Sequence, residues 1–104
     1  MAVTVKEISG AELEQLISGG RLLVDFYSKT CGPCKMLSFV LKDVAKDIEG
    51  VEIVMLDYDA NKEAVEKYGV EGYPTMIVFD KGQELTRVKG LQQKPKIIQM
   101  INGG

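Results

Sequence analysis

Arg21-Leu22-Leu23-Val24-Asp25-Phe26-Tyr27-Ser28-Lys29-Thr30-Cys31-Gly32-Pro33-Cys34-Lys35-Met36-Leu37 is the stretch whose reading decides the fold. Its first seven residues are almost continuously apolar, the pattern of a strand covered on both faces. Further on, Leu37, Val40, Leu41, Val44 and Ile48 recur at helical spacing. Pro33 suits the first turn of that helix, where its missing N–H is harmless, and Gly50 is expected to close it. A strand therefore delivers both cysteines of the chain, packed into one four-residue unit, to the start of a helix. Unpaired N–H groups and the positive end of the helix dipole favour a thiolate there.

Outward from this stretch, strands and helices alternate. Val3 to Ile8 alternates as a strand does. Ser9 and Glu12 form a capping-box pattern for a helix carrying Leu13, Leu16 and Ile17, which Gly19-Gly20 ends. Glu52 to Asp57 reads as a third strand. Asn61 is placed to cap a short helix with Ala64, Val65 and Tyr68, closed by Gly69. Thr75 to Phe79 and Glu84 to Lys89 flank the turn Asp80-Lys81-Gly82-Gln83 and should pair as an antiparallel hairpin. Pro95 opens a last helix with Ile97, Ile98 and Ile101 on one face. The order βαβαβαββα implies an α/β fold with a parallel portion, helices on both faces, and an antiparallel edge.

With 104 residues and 45% hydrophobic content, the chain makes one domain, residues 1–104, with a core of its own. A net charge of −2 and the absence of any basic block argue against nucleic acid as a partner. The N-terminal residues lack the apolar core of a signal peptide, and no apolar run approaches a membrane-spanning length. The expectation is a cytoplasmic protein without membrane contact, in a compartment where thiols are usually reduced.

A dithiol at this spacing can cycle between two thiols and a disulfide. Cys31, ahead of the helix, is the candidate nucleophile; Cys34, one turn in, suits the resolving role. Gly32 and Pro33 are small and leave the first sulfur open. Three other readings compete. A zinc or iron–sulfur site usually needs four Cys or His ligands, and the chain has two cysteines and no histidine. A bracing disulfide would close only a four-residue loop, giving about 2 kcal/mol against about 3 for a fifteen-residue one. Two inert thiols on a scaffold are the third. Asp25 interrupts an apolar strand, so its side chain should be inside, with its pKa raised by desolvation. The alternative is a charge on an open strand face. Pro74 by itself reads as a strand-start proline, and Tyr73 as a half-buried aromatic.

Val24-Asp25-Phe26, Cys31-Gly32-Pro33-Cys34-Lys35-Met36, Lys67-Tyr68-Gly69-Val70, Gly72-Tyr73-Pro74-Thr75 and Gly90, in this order along nearly the whole chain, resemble the thioredoxin family. The resemblance implies a central mixed five-stranded sheet flanked by four helices. It implies a thiol–disulfide oxidoreductase that needs no cofactor or metal of its own and acts as a monomer. Its partners would be disulfide-containing substrate proteins and a flavoprotein thioredoxin reductase that re-reduces it. It gives Asp25 the role of the buried carboxylate that exchanges a proton with the resolving thiol. It makes Pro74 a cis proline facing the dithiol. It lines a docking groove with Thr30, Gly32, Pro33, Tyr73, Pro74, Gly90 and Leu91. A redox-inactive binding subunit on the same fold, or a metal-bridged dimer, are the alternatives.

The chain also departs from that family. Thr30 and Tyr27 stand where the family has tryptophans, and the chain has none. Met55 replaces a lysine near the buried aspartate, which should leave the desolvation of Asp25 uncompensated and its pKa higher than in lysine-bearing members. Phe39 replaces a helix-kinking proline, so the long helix should run straighter, with Phe39 partly exposed.

Overall fold

The computed structural model describes residues 5–103. Nine elements follow one another: β1 (Val5–Ile8), α1 (Gly10–Ile17), β2 (Arg21–Tyr27), α2 (Gly32–Ala45), β3 (Val51–Asp57), α3 (Lys62–Lys67), β4 (Thr75–Asp80), β5 (Gln83–Lys89) and α4 (Lys94–Ile101). The expected order holds; Val3 and Thr4, assigned to the first strand, lie outside the described residues. The sheet runs β1-β3-β2-β4-β5. β1, β3 and β2 are parallel, while β4 pairs antiparallel with β2 and β5 antiparallel with β4. This is the mixed five-stranded sheet with four helices that the sequence reading anticipated.

β2 is the middle strand, and its residues after Arg21 are all buried. Their alternation sorts the core into two layers. Leu22, Val24 and Phe26 point to one face, where they join Leu13 of α1, Ala64 and Val65 of α3, and Val54, Leu56, Ile77 and Phe79 of the sheet. Leu23 points to the other, with Leu37, Leu41 and Val44 of α2 and Ile97, Met100 and Ile101 of α4. Asp25 is two residues beyond Leu23, so it belongs to the α2 face. Met100 is buried on α4, whereas Ile98 is only partly covered, one position off the expected Ile97–Ile98–Ile101 face.

Other boundaries depart from expectation for local reasons. α2 stops at Ala45 rather than running to Gly50, because its last turn tightens: Lys46 and Asp47 N–H donate to the carbonyls of Asp43 and Val44, at 3.2 and 3.0 Å. Ile48 then packs onto the core from beyond the helix. The hairpin turn is two residues, Lys81-Gly82, both with positive φ (53° and 87°), so β4 and β5 each extend further than expected. That is the turn whose twist matches the flanking strands. The capping box is present, with the Glu12 N–H on Ser9 Oγ and the Ser9 N–H on Glu12 Oε1. Asn61 precedes α3 but makes no side-chain cap. Its carboxamide instead accepts from the Gly10 N–H of α1 (3.0 Å) and donates to the Asp57 carbonyl (2.9 Å). α3 closes as the sequence suggested: Gly69, at φ +62°, and Val70 donate back to Glu66 and Val65.

Candidate active site

β2 ends at Tyr27, and four residues later Cys31 occupies the N-cap of α2 in extended conformation. The turn between is closed by the Cys31 N–H on the Ser28 carbonyl (3.3 Å). Cys31 and Cys34 are joined by a disulfide. The Cys34 N–H donates to Cys31 Sγ at 3.1 Å, so an orphan donor of the helix N-terminus is aimed at that sulfur. The two cysteines differ in exposure: Cys31 is half-buried, Cys34 only 2% exposed. Gly32 and Pro33 beside them are exposed. α2 is uninterrupted through Phe39, which is exposed on its outer side.

Asp25 lies on the sheet face that α2 and α4 pack against. It is fully buried, and neither carboxyl oxygen has a hydrogen-bond partner among the described residues. The register sets Met55 of β3 on one side of it and Met76 of β4 on the other. Its neighbours across both ladders are therefore apolar. Burial pushes its carboxyl from 3.8 up to about 7, so near neutrality it can either hold or accept a proton.

Of the residues expected to line a groove, Tyr73, Pro74, Gly90 and Leu91 gather at one end of the sheet because strand ends meet there. Phe26 pairs with Thr75, which brings Tyr73 and Pro74 alongside the end of β2. The Tyr73–Pro74 bond is cis. Thr75 also pairs with Lys89, and the Gly90 N–H donates to the Pro74 carbonyl at 2.7 Å, tying Gly90 and Leu91 to the same end of the sheet. Tyr73 is exposed and packs edge-on against Tyr58, with ring centroids 5.1 Å apart. Pro74 is buried, Thr30 exposed, and Gly90 and Leu91 half-buried, Leu91 resting on the core.

Three polar residues beside the dithiol escaped the sequence reading. Ser28 is 2% exposed and donates to Asp59 Oδ2 at 2.8 Å. Asp57, also buried, caps the following turn by accepting from the Asp59 and Ala60 N–H groups, and Lys29 Nζ lies 3.7 Å from its other oxygen. Nothing local marks Ser28 and Asp59 as partners. They meet because β2 and β3 run parallel and end level, Tyr27 opposite Asp57.

A family model described as Thioredoxin matches residues 4–103. A thioredoxin from Chlamydia caviae is 39% identical over 98 residues, spanning 94% of this chain and 96% of that one. One from Staphylococcus aureus is 37% identical over 101 residues, spanning 96% and 97%. Among solved structures, a mutant thioredoxin from Halobacterium salinarum superposes with a TM-score of 0.89 at 31% identity, over 98% of this chain and 93% of that one. Chloroplastic thioredoxin z does so at 0.86 and 30%, over 98% and 95%. Matched in sequence and in fold along nearly its whole length, the chain belongs to the thioredoxin family and is a thiol–disulfide oxidoreductase acting on protein disulfides.

Proposed function

We propose that Cys31 is the nucleophile, Cys34 the resolving thiol and Asp25 the proton acceptor in reduction of protein disulfides. The observation that carries this is the asymmetry of the pair: Cys31 is half-buried and its sulfur receives a helix N-terminal N–H, while Cys34 is buried on α2, which packs on the sheet face that carries Asp25. In the dithiol state the Cys31 thiolate attacks one sulfur of a substrate disulfide, the S–S bond breaks, and the other substrate sulfur leaves as a thiolate. Cys34 gives its proton to the Asp25 carboxylate and attacks Cys31 Sγ. The second substrate sulfur departs and takes up a proton, which Asp25 can return. The chain ends with the Cys31–Cys34 disulfide, and two electrons have passed to the substrate.

The substrate segment docks across Thr30, Gly32, Pro33, Tyr73, Pro74, Gly90 and Leu91, a reading supported by the pairing of Phe26 with Thr75 and of Thr75 with Lys89. Backbone groups beside Tyr73 are suited to pair with an extended chain. A flavoprotein thioredoxin reductase returns the electrons, and the protein works as a monomer in the cytoplasm. Among the described residues no helix is long and apolar enough to cross a membrane.

A trap tests the assignment. Cys34→Ser, reduced and mixed with insulin, should accumulate a mixed disulfide mapping to Cys31, whereas Cys31→Ser should accumulate none. Adducts mapping to residue 34 in the Cys31→Ser protein, with none from Cys34→Ser, would reverse the roles.

A further inference from the structure

Ser28 and Asp59 lie outside the chemistry just described, yet the loop that carries Cys31 is fastened through them. We infer that the Ser28–Asp59 hydrogen bond is a positioning device that holds Cys31 at the N-terminus of α2 when the disulfide is open. The inference rests on Cys31 being the working thiol.

The hydrogen-bond directions follow from donor count. Ser28 has one hydroxyl proton. Asp59, as a carboxylate, can only accept, so that proton lies on Asp59 Oδ2 at 2.8 Å. The contact between Ser28 Oγ and Thr30 Oγ1, at 3.3 Å, must then have Thr30 as donor, and the Thr30 N–H also points at Ser28 Oγ at 3.4 Å. The Ser28 carbonyl takes the Cys31 N–H. The Ser28 side chain therefore ties Thr30 of the turn to Asp59 of the β3–α3 loop, and the Ser28 main chain holds Cys31. Lys29, reaching Asp57, adds only a long and largely exposed second tether.

The two redox states depend on this anchor unequally. In the disulfide, Cys31 is tied covalently to Cys34, whatever the turn does. In the dithiol, Cys31 keeps only non-covalent ties: the Lys35 N–H on its carbonyl (3.2 Å) on the helix side, and the turn, which sets Cys31 Sγ on the Cys34 N–H near the positive end of α2. An interaction of a thiolate with a helix N-terminus is worth about 0.3–1 kcal/mol on an exposed site. Losing the anchor should therefore weaken the reduced state selectively, by about two- to fivefold in the thiol–disulfide equilibrium constant. At two electrons that makes the protein about 10–20 mV more reducing.

The test compares Ser28→Ala, Asp59→Ala, Asp59→Asn and the Ser28→Ala/Asp59→Ala double variant of the full chain. Two quantities are read: the equilibrium with glutathione, and the rate at which iodoacetamide alkylates Cys31 at pH 7, with the modified residue identified by peptide mass. Asp59 is exposed, so its variants fold even if a buried Ser28→Ala does not. Both Ala variants should be more reducing and alkylate about two- to fivefold more slowly, and the double variant should be no worse than either. Asp59→Asn, which keeps an acceptor and drops the charge, should stay near the parent. Unchanged potentials and rates in the Ala variants would overturn the inference. So would an Asp59→Asn protein as altered as Asp59→Ala, because that would assign the effect to charge rather than to position. Alkylation at Cys34 in place of Cys31 would instead refute the nucleophile assignment.

Discussion

Burial without a hydrogen-bond partner among the described residues makes the Asp25 carboxylate costly to the fold. In the unfolded chain its carboxyl titrates near 3.8, and in the fold at about 7. Between those values the folded protein holds a proton that the unfolded chain has released. Its contribution is therefore lost as the pH rises from about 4 to about 7, and the loss levels off above that. A rise of about three units corresponds to about 4 kcal/mol. Asp25→Asn, close in shape to the protonated acid, should raise stability by up to about 4 kcal/mol at pH 8 and hardly at all at pH 4. Urea unfolding of the disulfide form at the two pH values checks this; an equal gain at both would contradict it. A carboxyl interrupting an apolar central strand was legible as buried. Ser28 was not legible, because a serine after a strand is ordinary and its partner is 31 residues away.

At the level of elements, local signals succeeded where both partners are close in sequence. Ser9 and Glu12 cap each other within one turn, the positive φ of Gly69 closes α3, and Lys81-Gly82 turns the hairpin. Asn61 shows the opposite case. Its sequence position suits a cap, but its side chain satisfies the first turn of α1 and the end of β3 instead. Asn61→Ala leaves the Gly10 N–H and the Asp57 carbonyl without that partner. It should cost about 1–3 kcal/mol, against about 1 for Ser9→Ala, whose loss is confined to one exposed helix end. Denaturant midpoints of the two variants give the comparison, and an Asn61→Ala protein as stable as the parent would show that the bridge carries no weight. The end of α2 was misjudged for a related reason. Helical periodicity continued to Ile48 because the chain keeps packing on the same core after the helix has tightened and stopped.

The whole molecule decides what a given residue type is worth. Phe26 and Phe39 are chemically identical. Phe26 is fully buried in the α1/α3 layer, while Phe39 is 59% exposed on the outer side of α2. Phe26→Ala should destabilise by about 3–5 kcal/mol and Phe39→Ala by no more than about 0.5. Thermal or urea unfolding of both would reveal any departure from this order. By itself the sequence determined the order of strands and helices, the cysteine pair at a helix start and the buried aspartate. Those features depend on periodicity, caps and spacing over a few residues, which the chain carries locally. Tertiary structure alone decided which groups far apart in sequence meet. Parallel β2 and β3 end level, antiparallel β4 starts where β2 stops, and so Ser28 meets Asp59, Tyr73 meets Tyr58, and Gly90 meets Pro74. Strand pairing joins residues far apart in sequence, and only the closed sheet sets which of them share an end.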